Sequence, residues 1–273
     1  MERLVKVKEC TIGLGQPLTI IAGPCVVENE KMILYTAENM AKMVEDLPIQ
    51  FIFKSSYKKA NRTSLENFSG VGFEKALDIL QKVTREFSLP LLTDVHTELE
   101  VPLVAEIADI LQIPAFLCRQ TDLLLAAGAT QKVVNIKKGP FLAPDAMAKA
   151  AEKVKSCGNS KILLTERGTT FGYHNLVVDM RNLIIMAKQG YPVVYDATHS
   201  VQLPGDRGNQ SGGQPEYILP LAKAAIATGT VSAIFMEVHP NPKQALSDAA
   251  TQLSLQKFPV IIDELLNIYD FIN

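Results

Sequence analysis

Cys25, Lys54, Asp94 with His96, and Gln112 share a position with Lys137–Lys138, Glu166–Arg167, Asp196 with His199, and Glu237 with His239. Each stands at or near the carboxyl end of a short apolar run. The eight runs are LTIIAGPCV, QFIFKSS, PLLTDVH, ILQIPA, VVNIKK, KILLTERG, VVYDATH and AIFMEVH. A thiol, imidazoles, carboxylates and amines can ligate metal, move protons and bind anions. Eight buried strands have no reason to finish on such groups unless their ends meet around one site.

Three of these groups form a candidate metal set with a fourth nearby. Cys25, His199 and Glu237 end the first, seventh and eighth runs, which become neighbours if the strands close into a ring; Asp248 follows the eighth within loop reach. One thiolate, one imidazole and two carboxylates suit Zn2+, Fe2+ or Mn2+, and the soft thiolate argues against Mg2+ and Ca2+. The competing reading is that a lone cysteine packs as a small hydrophobe and a lone histidine as a satisfied polar group.

A second constellation is cationic. KSSYKKANRTS sets Lys54, Lys58, Lys59 and Arg62 beside Ser55, Ser56, Asn61, Thr63 and Ser64, while Lys137, Lys138 and Arg167 end two further runs. Convergent lysine and arginine suit phosphate and carboxylate. A solvated basic face is the bland alternative, but cations that end apolar strands are sheltered. So much positive charge implies more than one anionic group, such as two phosphates or a phosphate and a carboxylate. No GxSxG elbow, P-loop or GxGxxG is present, which counts against serine hydrolases, NTPases and dinucleotide enzymes.

The elements able to position these groups follow from the pattern. Apolar runs alternating with helix-period segments predict parallel strands with right-handed crossovers. Functional groups at the strands' carboxyl ends are the mark of a (β/α)8 TIM barrel, and 273 residues suit one such domain over 1–273. LVKVKECTI followed by GLGQP predicts an N-terminal hairpin over 1–17 that covers the barrel bottom. Thr97-Glu98-Leu99-Glu100 reads as a capping box. Residues 145–157 read as an amphipathic helix stopped by Gly158. Two loops, 55–68 and 200–214, are longer than connection requires, and the second reads as a lid.

Bulk properties narrow the function classes. The net charge of −2 with dispersed Lys and Arg argues against nucleic acid or a membrane surface as partner. The four cysteines form no CxxC pair and read as reduced thiols, pointing to the cytoplasm. The stretch 10–27 holds three glycines and two prolines, so it reads as a turn and a strand rather than a signal peptide.

IAGPC, FKSSYKKANRTS, DVH, LQIPAFLCRQTDLL, VNIKKG, LTERGTTFGY, YDATHSVQLPG and MEVHPNP with ALSDAATQ resemble the 3-deoxy-D-manno-octulosonate 8-phosphate synthase family, from about residue 18 to residue 255. The resemblance implies condensation of phosphoenolpyruvate with D-arabinose 5-phosphate and release of phosphate, toward the inner core of lipopolysaccharide. It implies that Lys137 and Arg167 hold the phosphoenolpyruvate phosphate and that Lys54 and Ser56 sit near its carboxylate. Lys59 would approach the pentose aldehyde, Asn61 a sugar hydroxyl, and Arg62 and Ser64 the far phosphate. His96 would line the cleft beside Asp94. Arg119 would reach a neighbouring subunit's site within a homotetramer. Metal-dependent members carry cysteine at the position of Cys25 and the others asparagine, so the set Cys25, His199, Glu237 and Asp248 implies a divalent metal, Zn2+ or Fe2+ with Mn2+ as the third choice.

A sister family uses erythrose 4-phosphate and carries KPRT where this chain reads Lys59-Ala60-Asn61-Arg62-Thr63-Ser64. A metal-assisted hydrolase or aldolase and a noncatalytic sugar-phosphate sensor are the remaining rivals. The chain departs from the resemblance at Pro140, where relatives often carry glutamine; proline offers neither an amide donor nor a side-chain acceptor. His174 reads as structural or exposed, and His239 as support for the eighth strand.

Overall fold

Along a barrel strand every second side chain points to the axis, and the axial positions here change character from foot to head. Ile21, Ile52, Leu92, Ile110, Val133, Leu163, Val194 and Phe235 form an inner apolar cluster. Two residues further along the same strands stand Gly23, Lys54, Asp94, Gln112, Asn135, Thr165, Asp196 and Glu237. The strands thus have dry feet and polar heads, with Lys137 and Arg167 one step higher.

The structure is a computed structural model that describes residues 3–272 except 62, 63, 65, 208 and 209. The hairpin β1 (Val5–Val7) and β2 (Cys10–Ile12) opens the chain, antiparallel with Val5 opposite Ile12. The barrel strands begin with β3 (Thr19–Gly23), β4 (Gln50–Lys54), β5 (Leu91–Asp94) and β6 (Ile110–Ile113). They continue with β7 (Val133–Lys137) and β8 (Ile162–Glu166). After the small hairpin β9 (Thr169–Thr170) and β10 (Leu176–Val177) comes β11 (Val193–Asp196). The hairpin β12 (Gln202–Arg207) and β13 (Gln210–Gly213) precedes β14 (Val231–His239), and the short β15 (Leu253–Ser254) extends it. All barrel pairings are parallel in the order β11-β8-β7-β6-β5-β4-β3-β14, and β11 pairs with β14 to close the ring. This is the expected (β/α)8 barrel. The hairpin is also where expected: Val5, Val7, Cys10 and Ile12 join the inner apolar cluster and plug the barrel's amino end.

Helices wrap the outside and bury one stripe each. In α1 (Glu30–Val44) the buried Ile33, Ala37, Met40 and Val44 follow helical spacing, and Asn29 caps it by accepting from the Met32 amide at 2.9 Å. The remaining helices are α2 (Phe73–Phe87), α3 (Val101–Ile107), α4 (Thr121–Ala129), α5 (Met147–Ser156), α6 (Arg181–Ala187), α7 (Ile218–Ala227) and α8 (Phe258–Ile272). As expected, α5 ends before Gly158, whose φ of +77° suits glycine at a helix stop.

Two local expectations are corrected. The Thr97–Glu100 capping box does not form: α3 begins only at Val101, without a side-chain cap, because the Glu100 carboxylate is engaged by Tyr57 and Lys58 instead. The segment after β11 is not an irregular loop, since β12 and β13 pair as an antiparallel ribbon.

Candidate metal and anion site

A cavity of about 510 Å3 opens at the carboxyl ends of the barrel strands. Its lining includes Lys54, Lys59, Asn61, Asp94, His96, Gln112, Lys137, Arg167, His199 and Asp248. The pleat explains the choice of residues. Lys137 and Arg167 are axial, whereas their neighbours Lys138 and Glu166 point the other way and are fully buried. There Lys138 Nζ donates to the Gly168 carbonyl at 3.2 Å and the Thr169 hydroxyl at 3.1 Å, and stands 3.5 Å from Glu166 Oε1. This pair clips together the loops that carry Lys137 and Arg167.

The candidate metal ligands converge on one side of the cavity. One donor atom each from Cys25, Glu237 and Asp248 lies within 4.8 Å of the others. His199 Nε2 is 3.4 Å from Glu237 Oε1 and 3.9 Å from Asp248 Oδ2. Gly23, just before Cys25, lets β3 lie close against β4, because a Cβ there would lie 2.1 Å from the Lys54 carbonyl oxygen. Asp248 has a φ of +47°, a conformation that aspartate tolerates better than most residues, and its Oδ2 accepts from the Cys25 thiol at 3.0 Å. Burial, then the charges of Asp248 and Glu237, push the Cys25 thiol well above its ordinary pKa. Glu237 Oε2 is buried without a hydrogen-bond partner among the described residues. A soft sulfur, an imidazole and two carboxylates, one with an orphaned oxygen, fit a divalent transition metal.

Lys54 and Lys137 are each matched by an acid. Lys54 Nζ donates to Glu237 Oε1 at 2.7 Å and to the Cys25 carbonyl at 3.1 Å. Lys137 Nζ donates to Asp196 Oδ2 at 2.7 Å, and His199 Nδ1 stands 3.0 Å from Asp196 Oδ1. Asp196 therefore orients one phosphate-binding candidate and one metal-ligand candidate together. Burial opposes ionisation of Asp196, but His199 and Lys137 outweigh it and hold the carboxyl below its ordinary range. Arg167 donates to Gln202 Oε1 at 3.2 Å.

At the cavity floor a hydrogen-bonded row crosses four strands. The Thr165 hydroxyl donates to Asn135 at 2.6 Å, and the Asn135 amide donates to Gln112 at 2.9 Å. Gln112 donates in turn to Asp94, which also accepts from Ser56. Lys59 Nζ donates to Ser56 Oγ at 3.1 Å. Every donor in the row points toward Asp94, so the row terminates on a carboxylate. Burial works against that charge, and Lys59, Lys54, His96 and Lys137 overcome it, leaving the carboxyl well below its usual value.

Other sequence candidates lie elsewhere. Ser56 is buried behind the cavity between Asp94 and Lys59. Arg119 is exposed, outside the lining of its own chain's cavity, and its carbonyl accepts from Lys153 at 3.1 Å. Ser64 Oγ accepts from the Glu66 amide at 3.3 Å. Arg62 lies outside the described residues. His174 is exposed and bonds the Pro204 carbonyl at 2.8 Å. His239 is buried at the end of β14, where Nδ1 accepts from the Asn241 amide at 2.9 Å. The Pro140 carbonyl accepts from the Thr170 amide at 2.9 Å, tying the loops after β7 and β8.

Several participants escaped the sequence reading. Asn135 and Thr165 had a signal, as polar residues inside the apolar strands VVNIK and ILLTE. Ser247, whose hydroxyl stands 2.9 Å from the Cys25 sulfur, had none. Gln252, which accepts from the Cys25 amide at 3.3 Å, had none either.

Residues 3–268 match the model of the DAHP synthetase I family. The chain is 51% identical over 273 residues, all of both chains, to the 2-dehydro-3-deoxyphosphooctonate aldolase of Geobacter sp. strain M21. It is 52% identical, again over all of both chains, to the protein of the same description from Citrifermentans bemidjiense. A third, from Protochlamydia amoebophila, is 49% identical over 272 residues, covering 100% of this chain and 98% of that protein.

Proposed function

Since the chain belongs to the DAHP synthetase I family, and within it groups with the 2-dehydro-3-deoxyphosphooctonate aldolases, we propose that it condenses phosphoenolpyruvate with D-arabinose 5-phosphate. The products are 3-deoxy-D-manno-octulosonate 8-phosphate and inorganic phosphate. Full-length identity of about half to relatives so described carries the reading. The paired cations and acids of the cavity support it.

In the reaction C3 of phosphoenolpyruvate bonds to the pentose aldehyde carbon, a water oxygen adds to C2, and the C2–O bond to phosphate breaks. Two anionic substrates must lie side by side despite their repulsion. Lys54, Lys59, Lys137 and Arg167 supply fixed positive charge for this in a sheltered cavity. Lys137 and Arg167 take the phosphoenolpyruvate phosphate, and Lys54, with Ser56 beneath, takes its carboxylate side. Lys59 faces the aldehyde, Asn61 a sugar hydroxyl, and Arg62 and Ser64 the far phosphate. Asp94 and His96 flank the reacting carbons and handle protons. Arg119 completes the sugar-phosphate end of a neighbouring subunit's site in a cytoplasmic homotetramer.

Cys25, His199, Glu237 and Asp248 would hold a divalent ion, Zn2+ or Fe2+ ahead of Mn2+. Such an ion, when bound, supplies a Lewis acid that polarises or orients oxygen beside the reacting carbons. Asp196 keeps the His199 ring turned toward that position.

Phosphate release from phosphoenolpyruvate tests the reading. It is expected with arabinose 5-phosphate and not with erythrose 4-phosphate. Preference for the tetrose would transfer the chain to the sister activity, and release without any aldehyde would make it a phosphatase.

A further inference from the structure

Tyr57, His96 and Glu100 form a triad at the edge of the cavity. The Tyr57 hydroxyl stands 2.8 Å from Glu100 Oε2 and 2.9 Å from His96 Nδ1. Tyr57 is fully buried, its ring packed edge-on against Phe73 at 5.2 Å and against the His96 ring at 5.3 Å. Glu100 also pairs with Lys58.

Two arrangements of protons satisfy these contacts, and the Lys58 ion pair, which keeps Glu100 a carboxylate, selects one. Two oxygens 2.8 Å apart require a hydrogen between them. Glu100 does not provide it: burial opposes its charge, but the bonds from Lys58 and Tyr57 outweigh that and keep the carboxyl below its ordinary value. Tyr57 therefore donates its single proton to Glu100. Burial and then the Glu100 bond raise the Tyr57 pKa, so the phenol stays protonated. Its oxygen can then only accept from His96, which places the imidazole proton on Nδ1.

We propose that Tyr57, anchored by Glu100, locks His96 as its Nδ1–H tautomer and so gives the cavity a bare Nε2, a hydrogen-bond acceptor for a substrate hydroxyl. Burial, opposed by Asp94 and Glu100 and aided by Lys58 and Lys59, lowers the His96 pKa, which favours the neutral ring with Nε2 free. Tyr57 and Glu100 are positioning residues that act through His96. The tautomer is a property of the free protein. Its use against a pentose hydroxyl rests on the function proposed above.

Nitrogen-15 NMR of histidine-labelled protein reads the tautomer directly. The chain has four histidines, so a His96→Asn variant assigns the signal. In the wild type at neutral pH, His96 Nδ1 is expected to be the protonated nitrogen and Nε2 the bare one. Tyr57→Phe keeps both ring contacts and removes only the hydroxyl; it should move the proton toward Nε2 and raise the KM for arabinose 5-phosphate about tenfold, the scale of one lost hydrogen bond. Glu100→Ala should shift the tautomer in the same direction. A wild-type His96 protonated on Nε2, or a tautomer unmoved by Tyr57→Phe, would overturn the proposal. An inactive wild type with the Nδ1–H signal in place would sink the assigned reaction and leave the tautomer lock standing.

Discussion

The Lys137 ammonium stands 3.8 Å from the centroid of the Phe235 ring. With Asp196 at 2.7 Å on another side, the cation is held by a carboxylate and an aromatic face. Lys54 lies over the same ring at 5.3 Å. Phe235 thus lies against two cations that would otherwise repel each other, beneath the cavity they line.

Lys137→Ala should remove phosphoenolpyruvate binding while preserving the fold. A charge-assisted hydrogen bond contributes about 1.5–3 kcal/mol, or roughly ten- to a hundredfold in KM. Steady-state kinetics with far-ultraviolet circular dichroism checks this. An unchanged KM for phosphoenolpyruvate would remove the assigned role.

Cys25→Ala should lose bound metal and activity together. Elemental analysis of the purified variant should find no stoichiometric divalent metal where the wild type holds one per chain. Chelation should silence the wild type, and added Zn2+, Fe2+ or Mn2+ should restore it. Full turnover in protein shown to be metal-free would refute metal dependence.

Arg119→Ala should raise the KM for arabinose 5-phosphate by about tenfold or more, with little change for phosphoenolpyruvate. Because Arg119 is exposed and outside its own chain's cavity, the effect is expected to cross between subunits. Refolding a mixture of Arg119→Ala and Lys137→Ala chains should regain activity, since some hybrid sites carry neither lesion. No regain would argue for a site built within one chain.

Stability should fall on acidification in two stages. His96 is held below its ordinary pKa by burial, so the unfolded chain takes up that proton first, below about pH 6.5. Asp94 and Asp196 are buried, yet their neighbouring cations hold them well below the unfolded value near 3.9. Carboxyls depressed in this way contribute stability above that value and lose it as pH drops further. Calorimetric midpoints should decline gently from about pH 6.5 and steeply below about pH 4. A midpoint that is level or rising over that descent would contradict the burial and pairing described.

The barrel was legible because each strand is a short apolar run that ends on polar or ionisable residues, as in QFIFKSS and VVNIKK. The metal candidates were legible for the same reason, since Cys25, His199 and Glu237 end or follow strands that the closing ring makes neighbours. The supporting layer was harder to read. Ser247 and Gln252 reach Cys25 across more than 220 residues of chain, and nothing in their local sequence marks the contact. Glu100 illustrates a different failure: its spacing from Thr97 suits a helix cap, but two partners on the loop after β4 compete for the same carboxylate and win.

Carbon-13 NMR of phosphoenolpyruvate labelled at C3, incubated with arabinose 5-phosphate and the metal-loaded enzyme, follows the bond that defines the reaction. The account predicts that the vinyl signal gives way to a ring-bearing methylene of an eight-carbon sugar acid, with one phosphate released per bond formed. Labelled pyruvate with no new carbon–carbon bond, or an untouched vinyl signal, would contradict it.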